Sequence, residues 1–487
     1  MTHLSKFKTT LALSAVAIAS FTASCKKNEV SGKRAELKTK TENVSLENYS
    51  ITPVLVKKLS GFENLDVYSL LSSEDKLPLS PNYTFGGSAD GSGTLKDPNG
   101  DGFIMMINNE DNYSVSKISL DENFKPVKGE YVLNSDAGQW RLCSGTLATE
   151  SIQGFGPLYL SAGESDVEAQ THGINPLTGA HHNLDGLGHW SAENAVPLHK
   201  NAFPGKTVVV IGEDASDASG GQLVLYVSNS VGDLDNGEQY ILRRTDKNQK
   251  ETDMLAGTSY DVEFVKIDNH KTLTGAQIQA MVDPLQAIKF GRVEDVDFGK
   301  GNGQALRQIY FNVTGQAAIG ANADHSRTVK GRTYHLALDA NDPTKGKLTC
   351  ILDGDDENGP AKDFQNPDNI CVTKNFVYIQ EDPNTYGDED HDSYIYQYCI
   401  ADKKVKKVFE LDHRRNDPKF HADAVRGNWE YGALVDISDV VGIPNTFTLA
   451  IQPHTWQEDA FKGVDGGSKR VNEKQGSQVV VIKGLPR

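Results

Sequence analysis

From about residue 51 onward, short runs rich in Val, Ile, Tyr and Phe recur along the chain. Clusters of Gly, Asn, Asp and Pro separate them, and no long amphipathic helix intervenes. That punctuation predicts β-strands rather than a helical bundle. The runs lie at 102–108, 113–120, 158–162, 207–212, 222–229, 239–244, 260–267, 308–314, 333–339 and 347–352, then at 370–380, 393–400, 404–411, 446–452 and 478–483. The run 393–400 turns back through Ala401-Asp402-Lys403-Lys404 into 405–411, which reads as a hairpin. A single helix is expected, at 274–283.

So many short strands in one chain need a way to protect their edges. A β-propeller supplies it, with about six blades and long loops for a chain of this length. A tandem pair of β-sandwiches is the alternative, but no Pro/Ser/Gly linker divides the middle of the chain. The expected class is therefore all-β, a propeller whose loops gather metal sites at one end of a central channel.

Composition sharpens this picture. The chain holds 45 Gly and 18 Pro in 487 residues, which suits many turns. Lys6 and Lys8 precede an apolar stretch at 11–21, and Thr22-Ala23-Ser24 lead into Cys25. This is a secretion signal, and its end is similar to a bacterial lipobox, which implies lipidation of Cys25. Residues 1–24 are then the signal peptide, 25–50 a charged tether poor in aromatics, and 51–487 the folded domain. The expected location is the bacterial cell envelope, with a monomer anchored to a membrane face by lipid. Removing residues 1–24 takes two lysines and no acid, so the formal charge moves from −17 to −19. Such a surface repels nucleic acid, and an anionic substrate would need bound cations to attract it. Cys350, Cys371 and Cys399 fall in β-type runs and read as buried thiols. Cys143 sits in the polar stretch Arg141-Leu-Cys-Ser-Gly-Thr146, a better place for a metal-binding thiolate.

The chemistry clusters at strand ends. The segment 364–384 presents Asp368 and Asn369 after Pro367, then leaves its second run through Glu381-Asp382. Oxygen donors at both ends of one β-unit suit a hard cation, although the same residues are ordinary turn formers. Asp90, Glu110, Glu164, Glu193, Glu213, Asp214, Glu294, Glu430 and His454 lie at comparable strand ends. One such acid is usually just solvated. In a propeller, however, the loops of all blades meet at one end, and the acids would repel one another unless cations bound there. Asp97-Pro-Asn-Gly-Asp-Gly102 has the opening of a calcium loop, but Asn108 stands where that loop needs Glu, so a plain turn is expected.

Taken in order from residue 85 to 456, these segments resemble the PhoX-type alkaline phosphatases, secreted metal-dependent β-propellers. Phe85-Gly…Asp90, Met106-Ile-Asn-Asn-Glu110, Cys143-Ser-Gly-Thr with Glu164, Arg292-Val-Glu294, Phe364…Pro367-Asp-Asn369, Trp429-Glu-Tyr-Gly and Gln452-Pro-His454 carry the likeness. The chain departs from the family pattern at Ala192, where a His is expected before Glu193, and at Ser165, where a second acid is expected. The resemblance implies a fused iron and calcium cluster. Cys143, Glu193 and Glu294 would be iron ligands. Asp90, Glu110, Glu164, Asp368, Asn369, Glu381 and Glu430 would lie toward calcium, with Glu213, Asp214, Asp382 and His454 as further candidates. It also implies hydrolysis of small phosphorylated compounds, with Glu294 and Arg292 as catalytic candidates. Arg292 could clamp a phosphate with its bidentate fork or pair with Glu294 or Asp295. Two other readings stand beside it: a non-catalytic, calcium-stabilised surface propeller that binds a ligand or partner, and a calcium-only esterase acting on a compound such as a lactone. No G-x-S-x-G stretch supports a serine hydrolase.

Overall fold

A computed structural model describes residues 44–384, 386, 389–420 and 426–487. The expected signal peptide, Cys25 and most of the tether lie outside the described residues. Among the described residues, twenty-six strands and eleven short helices make an all-β, propeller-like array of sheets.

The first sheet is a meander of Ala89–Lys96, Phe103–Asn109, Ser114–Leu120 and Pro126–Leu133. The second runs Arg141–Ala148, Leu158–Glu164, His172–Ile174 and His181–Asn183. A nine-stranded sheet follows. It holds one meander from Ala192–Pro197 to Glu238–Arg244 and another from Val293–Phe298 to Lys345–Asp353, joined edge to edge through Ser259–Ile267. Next come Pro367–Val372, Phe376–Glu381, Tyr394–Cys399 and Val405–Leu411, the hairpin of the last two as expected. The final sheet takes Glu430–Asp436, Thr446–Gln452 and Gln478–Lys483 from the end of the chain.

Two strands near the start complete the last two sheets. Val56–Lys58 adds to Val405–Leu411, and Asp66–Ser72 pairs with Gln478–Lys483, Asp66 opposite Lys483. This joins the two ends of the folded region and removes the edges an open array would expose.

The innermost strands form a closed ring. Ala89–Lys96 packs on Arg141–Ala148, then in turn Ala192–Pro197, Val293–Phe298, Pro367–Val372 and Glu430–Asp436, which returns to Ala89–Lys96. Each joint between neighbours encloses its own apolar cluster. Phe290, Phe311 and Tyr334 fill the joint inside the nine-stranded sheet. Tyr378, Tyr431, Phe447 and Leu449 fill the joint between the last two sheets. A middle strand is thus covered on both faces, which is why 207–213 and 446–452 are buried throughout and read as continuous apolar runs.

Several expectations change. About six blades were expected, but four sheets stand alone and the fifth carries nine strands. The expected helix at 274–283 is two short pieces, Gly275–Gln279 and Val282–Leu285. Thr274 and Gln277 cap the first reciprocally, and the Ala280-Met281 pair interrupts the two. Asp97–Gly102 is a hairpin turn in which Asp97 Oδ1 accepts from Asn99 N at 2.8 Å, as its plain-turn reading implied.

Candidate metal centre

All six innermost strands are broken by a β-bulge near their start. The registers slip between Ala89 and Ser92, Leu142 and Gly145, Ala192 and Asn194, Val293 and Val296, Pro367 and Ile370, and Tyr431 and Leu434. A bulge adds a residue to one strand and re-aims its side chain. The residues re-aimed here are Asp90, Cys143, Glu193, Glu294 and Asp368-Asn369, and Glu430 opens the sixth strand. The chain enters three of these strands through left-handed residues, Ser88 (φ 52°), Arg292 (φ 70°) and Asn366 (φ 61°). Such backbone is costly for a side chain with a Cβ and persists where surroundings hold it.

The second strand of each hairpin ends beside that bulge and adds a partner. Glu110 follows Phe103–Asn109, Glu164 closes Leu158–Glu164, Asp214 follows Thr207–Glu213, Asp382 follows Phe376–Glu381 and His454 follows Thr446–Gln452. The fourth hairpin places Thr314 at this point.

The donors converge. Asp90, Glu110 and Cys143 offer ligand atoms within 4.8 Å of one another. So do Cys143, Glu164 and Glu193, then Glu193, Glu294 and Asp368, and finally Asp368, Asp382 and Glu430. Shared members link the four groups into one continuous array. Burial, reinforced by neighbouring acids, pushes the carboxyls of Asp90, Glu164, Glu193, Glu294, Asp368 and Glu430 well above their usual range, and Glu110 more modestly. Burial and four surrounding acids also raise the Cys143 thiol, which donates to Glu164 Oε2 at 2.9 Å.

Only two guanidinium groups oppose these acids among the described residues. Arg292 spends its fork on Asp214, with Nε 2.6 Å and Nη2 2.9 Å from the two carboxylate oxygens. Its Nη1 donates to Asn384 and its Nη2 lies 3.2 Å from Glu294. Burial alone would raise Asp214, but this guanidinium overrides it and holds the carboxyl low. The fork is directed at Asp214, which borders the array but belongs to none of its four groups, with none of its edge left for a second anion. Arg141, which sequence reasoning did not single out, donates Nη1 to Glu110 at 2.6 Å and lies 2.9 Å from Asp111 through Nη2. Its signal was its place two residues before Cys143 on one strand.

The remaining candidates divide. Asn369 joins the array, donating to Ser144 Oγ at 2.7 Å and approaching Asp90 at 3.4 Å. His454 lies at its edge. Gln475 donates to Asp111 and accepts from Ser88, so its oxygen faces His454 Nδ1 at 2.8 Å, and Nε2 lies 3.0 Å from Glu430. Glu213 belongs to none of the four groups, and its side chain bonds Gln279 instead. Glu381 is fully buried away from them, accepting from Gln365 N and Tyr394 N at 2.7 Å and facing His391 at 3.0 Å. Asp295 clasps neighbouring strands, bonding Asn194 and Ile370 N, and burial pushes it up to about 7.

Amide side chains lock the bulges. The carbonyls that a bulge frees from the ladder need new donors. Asn108 Nδ2 reaches the Cys143 carbonyl at 2.6 Å, and Asn312 Nδ2 reaches those of Asp368 and Asn369 at 2.8 and 3.1 Å. Gln380 Nε2 serves Gly432. Each comes from the second strand of the preceding hairpin, so the joint between sheets also fixes the ligand-bearing turn.

The array fits cations better than solvent. Asp368 Oδ1 is buried with no hydrogen-bond partner, and Glu294 Oε1 has only its ion pair with Arg292. Uncompensated carboxylates packed this closely are unstable without a positive charge among them. A thiolate beside carboxylates suits a softer transition metal at one part of the array, and the all-oxygen donors suit calcium.

No family model and no curated protein sequence matches the chain. Among solved structures it resembles Pseudomonas fluorescens PhoX in complex with vanadate, a transition state analogue, with a TM-score of 0.62 at 14% identity, covering 90% of this chain and 98% of that one. The PQQ-bound aldose sugar dehydrogenase of Streptomyces coelicolor aligns at a TM-score of 0.35 and 9% identity, over 86% of this chain and 99% of that one. A putative 6-phosphogluconolactonase from Bacteroides uniformis aligns at 0.29 and 8%, over 64% and 82%. The first likeness shows a PhoX-like propeller fold at a distance.

Proposed function

We propose that this protein is a metal-dependent phosphatase that hydrolyses small phosphate esters in the bacterial cell envelope, held to a membrane by lipid on Cys25. The observation that carries the reading is the array itself: a thiol and eight acids drawn from six hairpins meet in four overlapping groups at the bulged ends of a closed ring. On this reading the nine-stranded sheet counts as two blades fused at their rims, giving six.

Cys143, Glu193 and Glu294 would hold iron, and Asp90, Glu110, Glu164, Asp368, Asp382 and Glu430 would hold calcium. Bound there, these cations supply Lewis acidity toward phosphoryl oxygens. The chain's own part is to fix the ligands and exclude water. Arg292 anchors Asp214 and Glu294, which makes it a positioning residue. Asn369 ties the fifth hairpin to the second through Ser144. The alternative, a non-catalytic calcium-stabilised propeller, draws on Ala192, which places no imidazole beside Glu193.

Elemental analysis of the purified protein beside Cys143→Ser separates the two. Iron and calcium in the wild type, with iron lost from the variant and turnover of p-nitrophenyl phosphate lost in Glu294→Ala, support the phosphatase. Calcium alone in both proteins, with no turnover, removes it in favour of the binding propeller.

A further inference from the structure

Cations bound in this array would attract the substrate's anion, and a charged side chain that faces solvent at its rim would orient it. Arg292 does not offer one: its side chain is 21% exposed and each of its three nitrogens already faces Asp214, Asn384 or Glu294. Arg141 differs on each count. Its side chain is 40% exposed, and among the described residues its Nε makes no hydrogen bond. It rises from the same strand as Cys143, close enough to feel Cys143 and Glu164 as well as Glu110.

The arginine is nevertheless fixed in place. Asp111, the carboxylate under Nη2, belongs to none of the metal-ligand groups. Gln475 Nε2 donates to it at 3.2 Å, Ser88 Oγ lies 2.9 Å away, and Arg470 Nε bonds its carbonyl. One half of the guanidinium thus rests on a built support that metal loading need not disturb. The other half, Nη1, rests on Glu110, a member of the first group. With Glu110 serving as a ligand, the Nε–H, which makes no hydrogen bond among the described residues, remains for an incoming oxyanion. A guanidinium held this way presents that donor in a fixed direction beside a permanent charge, which a lysine's flexible ammonium does not.

We propose that Arg141 is the substrate-binding residue that takes the phosphoryl group of the ester at the mouth of the array. This rests on the phosphatase reading above and names the group that recognises its substrate. The test is calorimetric titration of vanadate and of inorganic phosphate into the full-length protein loaded with calcium and iron, for wild type, Arg141→Gln and Arg141→Lys, with metal content measured in each. The expected result is a loss of affinity of about tenfold or more in Arg141→Gln, a partial loss in Arg141→Lys, a matching rise in KM and unchanged metal content. Unchanged anion affinity in a metal-loaded Arg141→Gln overturns the assignment alone. Metal lost in step with anion affinity in both variants also overturns it, since Arg141 would then act through Glu110. A wild type that holds its metals yet binds neither anion overturns the phosphatase reading, and the assignment with it. If Arg141→Gln does not fold, Arg141→Lys keeps the charge, loses the fixed Nε donor and decides the same question.

Discussion

Asp368 has one buried oxygen without a donor, and after burial itself its strongest neighbours are the like charges of Asp382 and Asp90. Such a residue harms the metal-free fold and is useful only to a ligand. Asp368→Asn should therefore raise the melting temperature of metal-stripped protein by a few degrees, on the order of 1 kcal/mol, since one repulsive charge goes. It should also weaken calcium binding by about tenfold or more, because one charged ligand is lost. Differential scanning calorimetry with and without calcium reads both; a variant less stable without metal would contradict this account. At this scale the sequence was informative about identity and poor about direction. Asp90, Glu110, Cys143, Glu164, Glu193, Glu294, Asp368, Asp382 and Glu430 were all legible as acids or a thiol near strand ends, and they meet. Glu213 was indistinguishable from Asp214 until alternation along the strand turned one away. Glu381 looked like Asp382's partner, yet its carboxylate closes a loop around His391.

Among the elements, the hidden feature was the inner ring. Five of its six strands carry no apolar run that the pattern could detect. Ala89–Lys96 reads ADGSGTLK and Arg141–Ala148 reads RLCSGTLA. Polar residues must line the channel, and a bulge interrupts alternation where it would have been counted. Small residues are required as well. A Cβ on Gly91 would stand 2.1 Å from Gly145 N and 2.5 Å from the Ser144 carbonyl carbon, all rigid backbone of the neighbouring strand. Gly91→Ala should force the first two sheets apart and lower stability by several kcal/mol, with both Asp90 and Cys143 displaced. Asn312 tests the other half of the joint. Asn312→Leu leaves the Asp368 and Asn369 carbonyls without their buried donor, a cost of about 1–3 kcal/mol. If the amide also sets ligand geometry, calcium affinity falls further than in a destabilised variant altered far from the ring, such as one in the 274–285 helices. Equal calcium affinity in the two would reduce Asn312 to a structural residue.

The molecule as a whole closes its sheets at the expense of gathering like charges, and pH exposes the consequence. Asp90, Glu110, Glu164, Glu193, Glu294, Asp368 and Glu430 have folded-state pKa values raised above their unfolded ones when no metal is bound. The folded state then binds more protons than the unfolded chain above the ordinary carboxylate range of about 4. Their contribution to the stability of the metal-free protein therefore falls as pH rises out of that range, the reverse of a salt-bridged carboxylate, and buried histidines held low, His335 and His413 among them, oppose it only up to about pH 6.5. Asp214 runs the other way, because Arg292 lowers it, but its window lies below about 4 and leaves the slope above untouched. Cations reverse the balance by holding the carboxylates ionised and displacing their protons. Metal-stripped protein should melt at a higher temperature near pH 5 than near pH 8, and saturating calcium should raise the melting point most at the higher pH. A melting temperature of stripped protein that climbs steadily from about pH 5 to 8 would mean the acids are already neutralised within the fold, and the array would lose its claim on metal.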